Sequence, residues 1–350
     1  MSEDIYVRLR SFLDALPGGF PATDSGVEIK ILKKLYTPEQ AELTLKLKNE
    51  PEEISSIAGR VGMTEAEAAA MLEEMAQNGV IYRVRRDGRA LYQAFQFLVG
   101  IYEFQLKNLD LEFSELFEAY LPYFGMSMAS VKTGQLRRIP VGSVIETKTA
   151  VAPYNNVREL IKGKDFIAVQ QCICRKEQGL LGHPCDFPGE TCLGFGDFAR
   201  FYVDNGMGRQ IDHAEVLRIL DMAEEKGLVV SPTNAQNIDF ICLCCSCCCP
   251  GLRFGKMMER PGDSMDTAYV STIDSELCTA CGTCVDRCPM DAIKLDDVAE
   301  IIDGRCIGCG VCIPTCPVEA ISLEDKPGKE APPKDFEEVL QRIKAERGLS

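Results

Sequence analysis

Cys278-Thr279-Ala280-Cys281-Gly282-Thr283-Cys284-Val285-Asp286-Arg287-Cys288-Pro289 is followed by Cys306-Ile307-Gly308-Cys309-Gly310-Val311-Cys312-Ile313-Pro314-Thr315-Cys316-Pro317, so that each cysteine has its counterpart 28 residues on. The flanks repeat as well: Ile273-Asp274 and Asp291-Ala292-Ile293 answer Ile302-Asp303 and Glu319-Ala320-Ile321. A duplicated unit this short cannot bury a core alone, so the two halves are expected to pack on each other.

This double run resembles the bacterial dicluster ferredoxins over about residues 268 to 326, with no departure at any of the eight cysteines. In that arrangement three thiolates two residues apart wrap three irons of one cubane. The fourth, after three more residues and before a proline, reaches the other cluster. The resemblance implies that Cys278, Cys281, Cys284 and Cys316 hold one [4Fe-4S] cluster, and that Cys306, Cys309, Cys312 and Cys288 hold the second. The small residues Thr279, Ala280, Gly282, Gly308 and Gly310 would let backbone N–H groups approach the sulfurs. A disulfide framework or a pair of zinc sites accounts less well for a lone fourth cysteine followed by proline.

The chain has 350 residues, enough for two or three domains, and carries 38 Lys and Arg against 53 Asp and Glu, a formal charge of −15. So acidic a chain is a poor match for phosphate backbones or anionic lipid, although local basic patches remain possible. The N-terminus is acidic and lacks an apolar run, and the longest apolar stretch, Ala90 to Leu106, is broken by Gln93, Gln96, Gly100 and Glu103. It reads as a helical core face rather than a membrane span. With 18 cysteines and no export signal, metal ligation outranks disulfide bonding and a reducing cytoplasm is the expected setting.

The fold expected is α+β and multidomain. Residues 1 to 98 resemble the winged helix-turn-helix family by pattern: helices over 28–36, 38–47, 51–61 and 64–77, then strands over 80–85 and 90–95 joined at Asp87-Gly88. The recognition-helix equivalent carries Glu65, Glu67, Glu73 and Glu74 and no cation, which argues against DNA, whereas Arg83, Arg85, Arg86 and Arg89 of the wing keep weak contact open. A docking or dimerisation role is the favoured reading. A helical connector over 99–140 follows, with Phe113, Leu116, Phe117, Tyr120, Leu121 and Tyr123 at helical spacing. A strand is expected over 143–151.

Residues 141 to 262 form the expected α/β cysteine-rich domain. Phe166-Ile167-Ala168-Val169 leads to Cys172 and Cys174, and Ile238-Asp239-Phe240-Ile241 leads to Cys242, Cys244, Cys245, Cys247, Cys248 and Cys249. Both strands are expected to end in Cys-x-Cys and to lie as parallel neighbours, with Cys185 and Cys192 in the loop between. Six cysteines in eight residues have no packing rationale. A metal site is therefore expected here, a [4Fe-4S] cluster ahead of zinc, with a redox-active thiol set as the rival. His183 and His213 have weaker claims as ligands. The combination of Cys-Ile-Cys-Arg, Glu190-Thr191-Cys192-Leu193 and the crowded cysteine run is similar to uncharacterised iron–sulfur proteins of anaerobes. Residues 327 to 350 read as a linker and a charged helix. No nucleophile–base pair or phosphate loop stands out, so electron transfer with a redox partner or oxidoreductase complex is the expected function. A redox-sensing regulator and a reductase with an open iron are the alternatives.

Overall fold

The computed structural model describes residues 4–142, 144 and 152–349, a mixed fold with 43% helix and 17% strand. At the N-terminal end, α1 (Ile5–Asp14), α2 (Val27–Leu35) and α3 (Pro38–Thr44) bury Leu9, Leu13, Ile31, Leu32 and Ala41 against one another. The strand β1 (Glu52–Glu53) precedes α4 (Ile54–Val61), α5 (Glu65–Gln77) and the hairpin β2 (Tyr82–Arg86) and β3 (Arg89–Gln93). Thr64 opens α5 with a reciprocal cap: its hydroxyl accepts from the Glu67 N–H, and the Glu67 carboxylate accepts from the Thr64 N–H at 2.9 Å. Asp87 and Gly88, at φ 49° and 76°, supply the two left-handed residues of a type I′ turn. The helix expected from Pro51 begins only at Ile54, because Glu52 and Glu53 pair with Tyr92 and Leu91 of β3.

The stretch Ala90 to Leu106 is not the expected helical face. It begins inside β3 and continues as irregular chain, with Val99 at φ 38°, before a short 3-10 turn at Glu103–Gln105. Its apolar residues follow no helical period because Phe95, Phe97, Ile101, Tyr102 and Phe104 are buried from several sides at once. Side chains hold the irregular backbone: Gln96 Nε2 donates to the Val99 carbonyl at 3.2 Å, and the Gly100 N–H donates to Glu103 at 2.7 Å. Helix α6 (Leu111–Met128) follows. The strand expected over 143–151 lies outside the described residues apart from Val144, which is buried.

The middle of the chain forms a five-stranded sheet from β4 (Ile167–Gln171), β5 (Glu190–Phe195), β6 (Gly208–Ile211), β7 (Val229–Pro232) and β8 (Phe240–Cys244), ordered β6-β4-β5-β8-β7. Every pairing is antiparallel. This corrects the expectation of parallel neighbours. β4 and β8 do run in the same direction, but β5 lies between them and is antiparallel to both. The short chain after β4 thus returns as a strand instead of crossing over, and the helix His213–Lys226 connects β6 to β7. One sheet face packs Val169, Leu193 and Ile241 with Val216 and Leu220 of that helix. The other face turns Phe240 and Cys242 toward Phe198, Phe201 and Tyr202, which join the N-terminal core.

In the C-terminal region β9 (Tyr269–Ile273) pairs with β12 (Ile321–Asp325), and β10 (Ile293–Leu295) pairs with β11 (Ala299–Ile301). Each pair takes one strand from each cysteine repeat, so the two halves interlock. Ile273 opposes Ile321 and Ile293 opposes Ile301, which makes Ile301 the structural counterpart of Ile273 rather than Ile302. The left-handed residues recur at the repeat spacing too: Ala280 with Gly308, Gly282 with Gly310, and Asp291 with Glu319. The final helix, Phe336–Glu346, is not a free appendage; Val339 and Ile343 pack on Ala235, Met128 and Val131.

Candidate functional site

The second half of the C-terminal repeat forms a small, partly open recess whose wall includes Cys288, Cys306, Cys309 and Cys312 together with Met290 and Val311. Cys288 thus shares that wall with the three cysteines of the other run. Cys284 in turn lies in the field of Cys278, Cys281 and Cys316. Backbone donors point at the sulfurs: the N–H groups of Ser271 and Gly308 reach Cys306 Sγ at 3.4 Å, and Ala292 and Ala320 reach Cys288 and Cys316 at 3.3 and 3.2 Å. Such donors stabilise electron-rich thiolate sulfur. Burial pushes the Cys312 thiol up to about 12, and Cys309 is raised for the same reason. A coordinating metal deprotonates such thiols outright. The recess, the sulfur-directed N–H groups and the all-thiol donor set fit an iron–sulfur group, which when bound would supply one-electron redox chemistry.

The ten cysteines of the middle region divide into two sets. Cys185, from the loop after the helix Ile173–Leu180, meets Cys245, Cys247 and Cys248 from the turn after β8, with the four sulfurs all within 4.8 Å of one another. The other set is half-buried throughout: Cys172, Cys174, Cys192, Cys242, Cys244 and Cys249. Within it Cys172 lies beside Cys174, Cys242 beside Cys192 and Cys244, and Cys244 beside Cys249, all as free thiols, while Cys174 feels both Cys244 and Cys249.

Two placements differ from expectation. Cys192 is not in a loop; it lies in β5 directly opposite Cys242. β4 ends at Gln171, so Cys172 and Cys174 sit at the cap and first turn of a helix, and only Cys242 and Cys244 follow the alternation of a strand. His183 is exposed, and His213 bonds through Nε2 to the Lys164 carbonyl at 3.0 Å, so neither joins a sulfur set.

Two buried arginines face the thiols and carry no signal in the cysteine spacing. Arg175 donates to the Pro188 and Leu243 carbonyls at 2.8 and 2.9 Å and to Thr191, so it ties the Cys185 loop to β8. Its field reaches Cys172, Cys245 and Cys185. Arg138, 7% exposed, lowers the cost of negative charge at Cys244 and Cys249. The Nε of each has no partner among the described residues, as suits a cation set against a negatively charged group.

Residues 271–294 match the 4Fe-4S binding domain, and residues 284–326 match the LdpA Fe-S cluster-binding domain. The C-terminal region carries iron–sulfur-binding domains. No curated protein and no solved structure matches the chain. Among the described residues no helix is long and apolar enough to cross a membrane. Together the matches and the cysteine sets describe an iron–sulfur protein.

Proposed function

We propose that this chain is an electron carrier holding two [4Fe-4S] clusters, one on Cys278, Cys281, Cys284 and Cys316 and the other on Cys306, Cys309, Cys312 and Cys288, and that it exchanges single electrons with a partner oxidoreductase. In this reading the layout is a winged-helix-like N-terminal module, a helical connector, a cysteine-rich middle domain, the dicluster domain and a terminal helix. The setting is an anaerobic cytoplasm, and the six-cysteine set of the middle domain is a further metal-bearing station.

The observation that carries the reading is one continuous hydrophobic core in which Cys288, Cys306 and Cys309 pack with Cys174, Cys244, Cys245, Cys248 and Cys249 through Leu252, Met290 and Ile307. A shared dry interior suits electron passage between the two sulfur-rich regions, and it leaves the N-terminal module on the opposite face of the sheet. The regulator alternative is weakened because Arg83, Arg85 and Arg86 of the hairpin are all engaged by carboxylates of the chain itself.

Anaerobic iron and sulfide counts with spectroscopy of the reduced protein test the proposal. The C-terminal region alone should contribute about eight irons and eight sulfides. Cys288→Ser should damage the cluster of Cys306, Cys309 and Cys312 and spare the other. Loss of the Cys278 cluster instead would reverse the ligand assignment, and a C-terminal region without reducible iron would end the carrier reading.

A further inference from the structure

The four-thiol set of the middle region has a size of its own. Cys185 Sγ stands 3.8 Å from Cys245 Sγ and 3.6 Å from Cys247 Sγ, and Cys248 Sγ stands 3.7 Å from Cys247 Sγ. A single tetrahedral ion with metal–sulfur bonds of about 2.3 Å sets its ligands on edges of about 3.8 Å. A four-iron cube is larger, because its irons stand apart from one another and each carries its thiolate outward. Among the described residues no other group of three or more Cys, His, Asp or Glu draws its ligand atoms so close together, the two ferredoxin sets included. Of those, Cys288, Cys306, Cys309 and Cys312 line a common recess instead of closing on one point.

We infer that Cys185, Cys245, Cys247 and Cys248 form a mononuclear tetrathiolate site for one divalent metal ion of the zinc class, separate from every iron–sulfur cluster of the chain. This rests on the reading that the middle domain binds metal, and it divides that domain's ten cysteines between two tasks. The geometry is that of a closed, structural site with four protein ligands. Three come from a single turn and the fourth from a loop 60 residues earlier, so the ion would fasten the Cys185 loop to the end of β8. Four thiolates on a divalent ion leave a net charge of about −2. Arg175, within reach of Cys185 and Cys245, and Arg253, within reach of Cys248, oppose that charge. The Arg175 bonds to Pro188 and Leu243 brace the same two segments that the ion would join. Cys247 is exposed, which gives the ion a way in. The six remaining cysteines, Cys172, Cys174, Cys192, Cys242, Cys244 and Cys249, are left for the relay centre.

The test is metal analysis and X-ray absorption on the full chain purified without oxygen, beside the Cys247→Ser variant. The expected result is one zinc per chain, or one iron unaccompanied by sulfide, with four sulfur neighbours at about 2.3 Å and no iron neighbour. Cys247→Ser should then weaken retention of that single ion against a chelator at least tenfold and leave the cluster iron and sulfide unchanged. A wild-type protein without such an ion, or a variant that loses iron and sulfide together in a block of four, overturns the inference. The wild-type measurement stands even if the variant does not fold. The single ion can be present while no cluster is reducible, or absent while the clusters transfer electrons, so the two readings fail separately.

Discussion

Gly308 and Ala280 occupy equivalent places in the two cysteine loops, at φ 63° and 56°, but their surroundings differ. A Cβ on Gly308 would lie 2.2 Å from the Tyr269 carbonyl oxygen, whereas Ala280 already carries one. Gly308→Ala adds a backbone clash to left-handed strain and should cost roughly 2–4 kcal/mol. It should also loosen the Gly308 N–H bond to Cys306 and with it the iron held there. Ala280→Gly should be neutral or gain up to about 1 kcal/mol, because only the strain is removed. Thermal unfolding and iron retention of both variants check this; equal effects at the two positions would show that the loops are equivalent after all. The iron–sulfur-binding character of the C-terminal region was legible in the sequence because cysteine spacing is a local property of the chain. Arg138, brought to Cys244 and Cys249 from more than 100 residues away, was not, because no local pattern records a charge supplied by the fold.

At the scale of elements, the terminal helix Phe336–Glu346 shows where periodicity informs and where it stops. Its span follows from the charged, amphipathic pattern, but its docking does not. Glu346 accepts from the Lys132 and Thr133 N–H groups at 2.7 and 2.9 Å, and Arg347 donates to the Leu16 carbonyl at 2.6 Å and pairs with Asp14 at 3.0 Å. The helix and its C-terminal cap therefore tie the segment at Lys132 and Thr133 to the first helix. Ile343 is fully buried, and Ile343→Ala should cost about 2–4 kcal/mol and expose the 327–349 segment to protease. A variant as stable and as resistant as the parent would mean that the helix is dispensable. The cysteine-rich strands follow the same rule. Apolar content marked β4 and β8, but their order in the sheet depended on β5, whose Gly- and Pro-rich approach disguised a strand as a loop. The stretch Ala90–Leu106 failed as a helix for a related reason: residues packed from all sides have no face to display.

At the scale of the whole molecule, the N-terminal module and the middle sheet share one core, and this decides what the arginine hairpin can do. The Tyr82 ring of the hairpin lies tilted with its centroid 5.1 Å from that of Phe201, and the Phe104 centroid lies 4.5 Å from the same ring. Around this junction Arg83 turns inward, whereas Arg85, Arg86 and Arg89 are exposed and pair with carboxylates at the surface. Arg83, 2% exposed, pairs with Glu73 at 2.5 Å and bonds to Asn205 at 3.0 Å; Arg85 pairs with Asp204 at 2.9 Å; Arg86 faces Asp197 at 3.8 Å; and Arg89 pairs with Glu53 at 3.0 Å. A phosphate backbone would have to displace these carboxylates while meeting a chain of net charge −15, and Arg83 could reach it only if the core opened. The full chain should therefore show no sequence-specific binding to duplex DNA in about 0.15 M salt, and any association at low salt should vanish steeply as salt rises. Titration of labelled duplexes from the chain's own upstream region measures this. Nanomolar binding that survives physiological salt would show that the hairpin undocks, and it would return the regulator reading to first place.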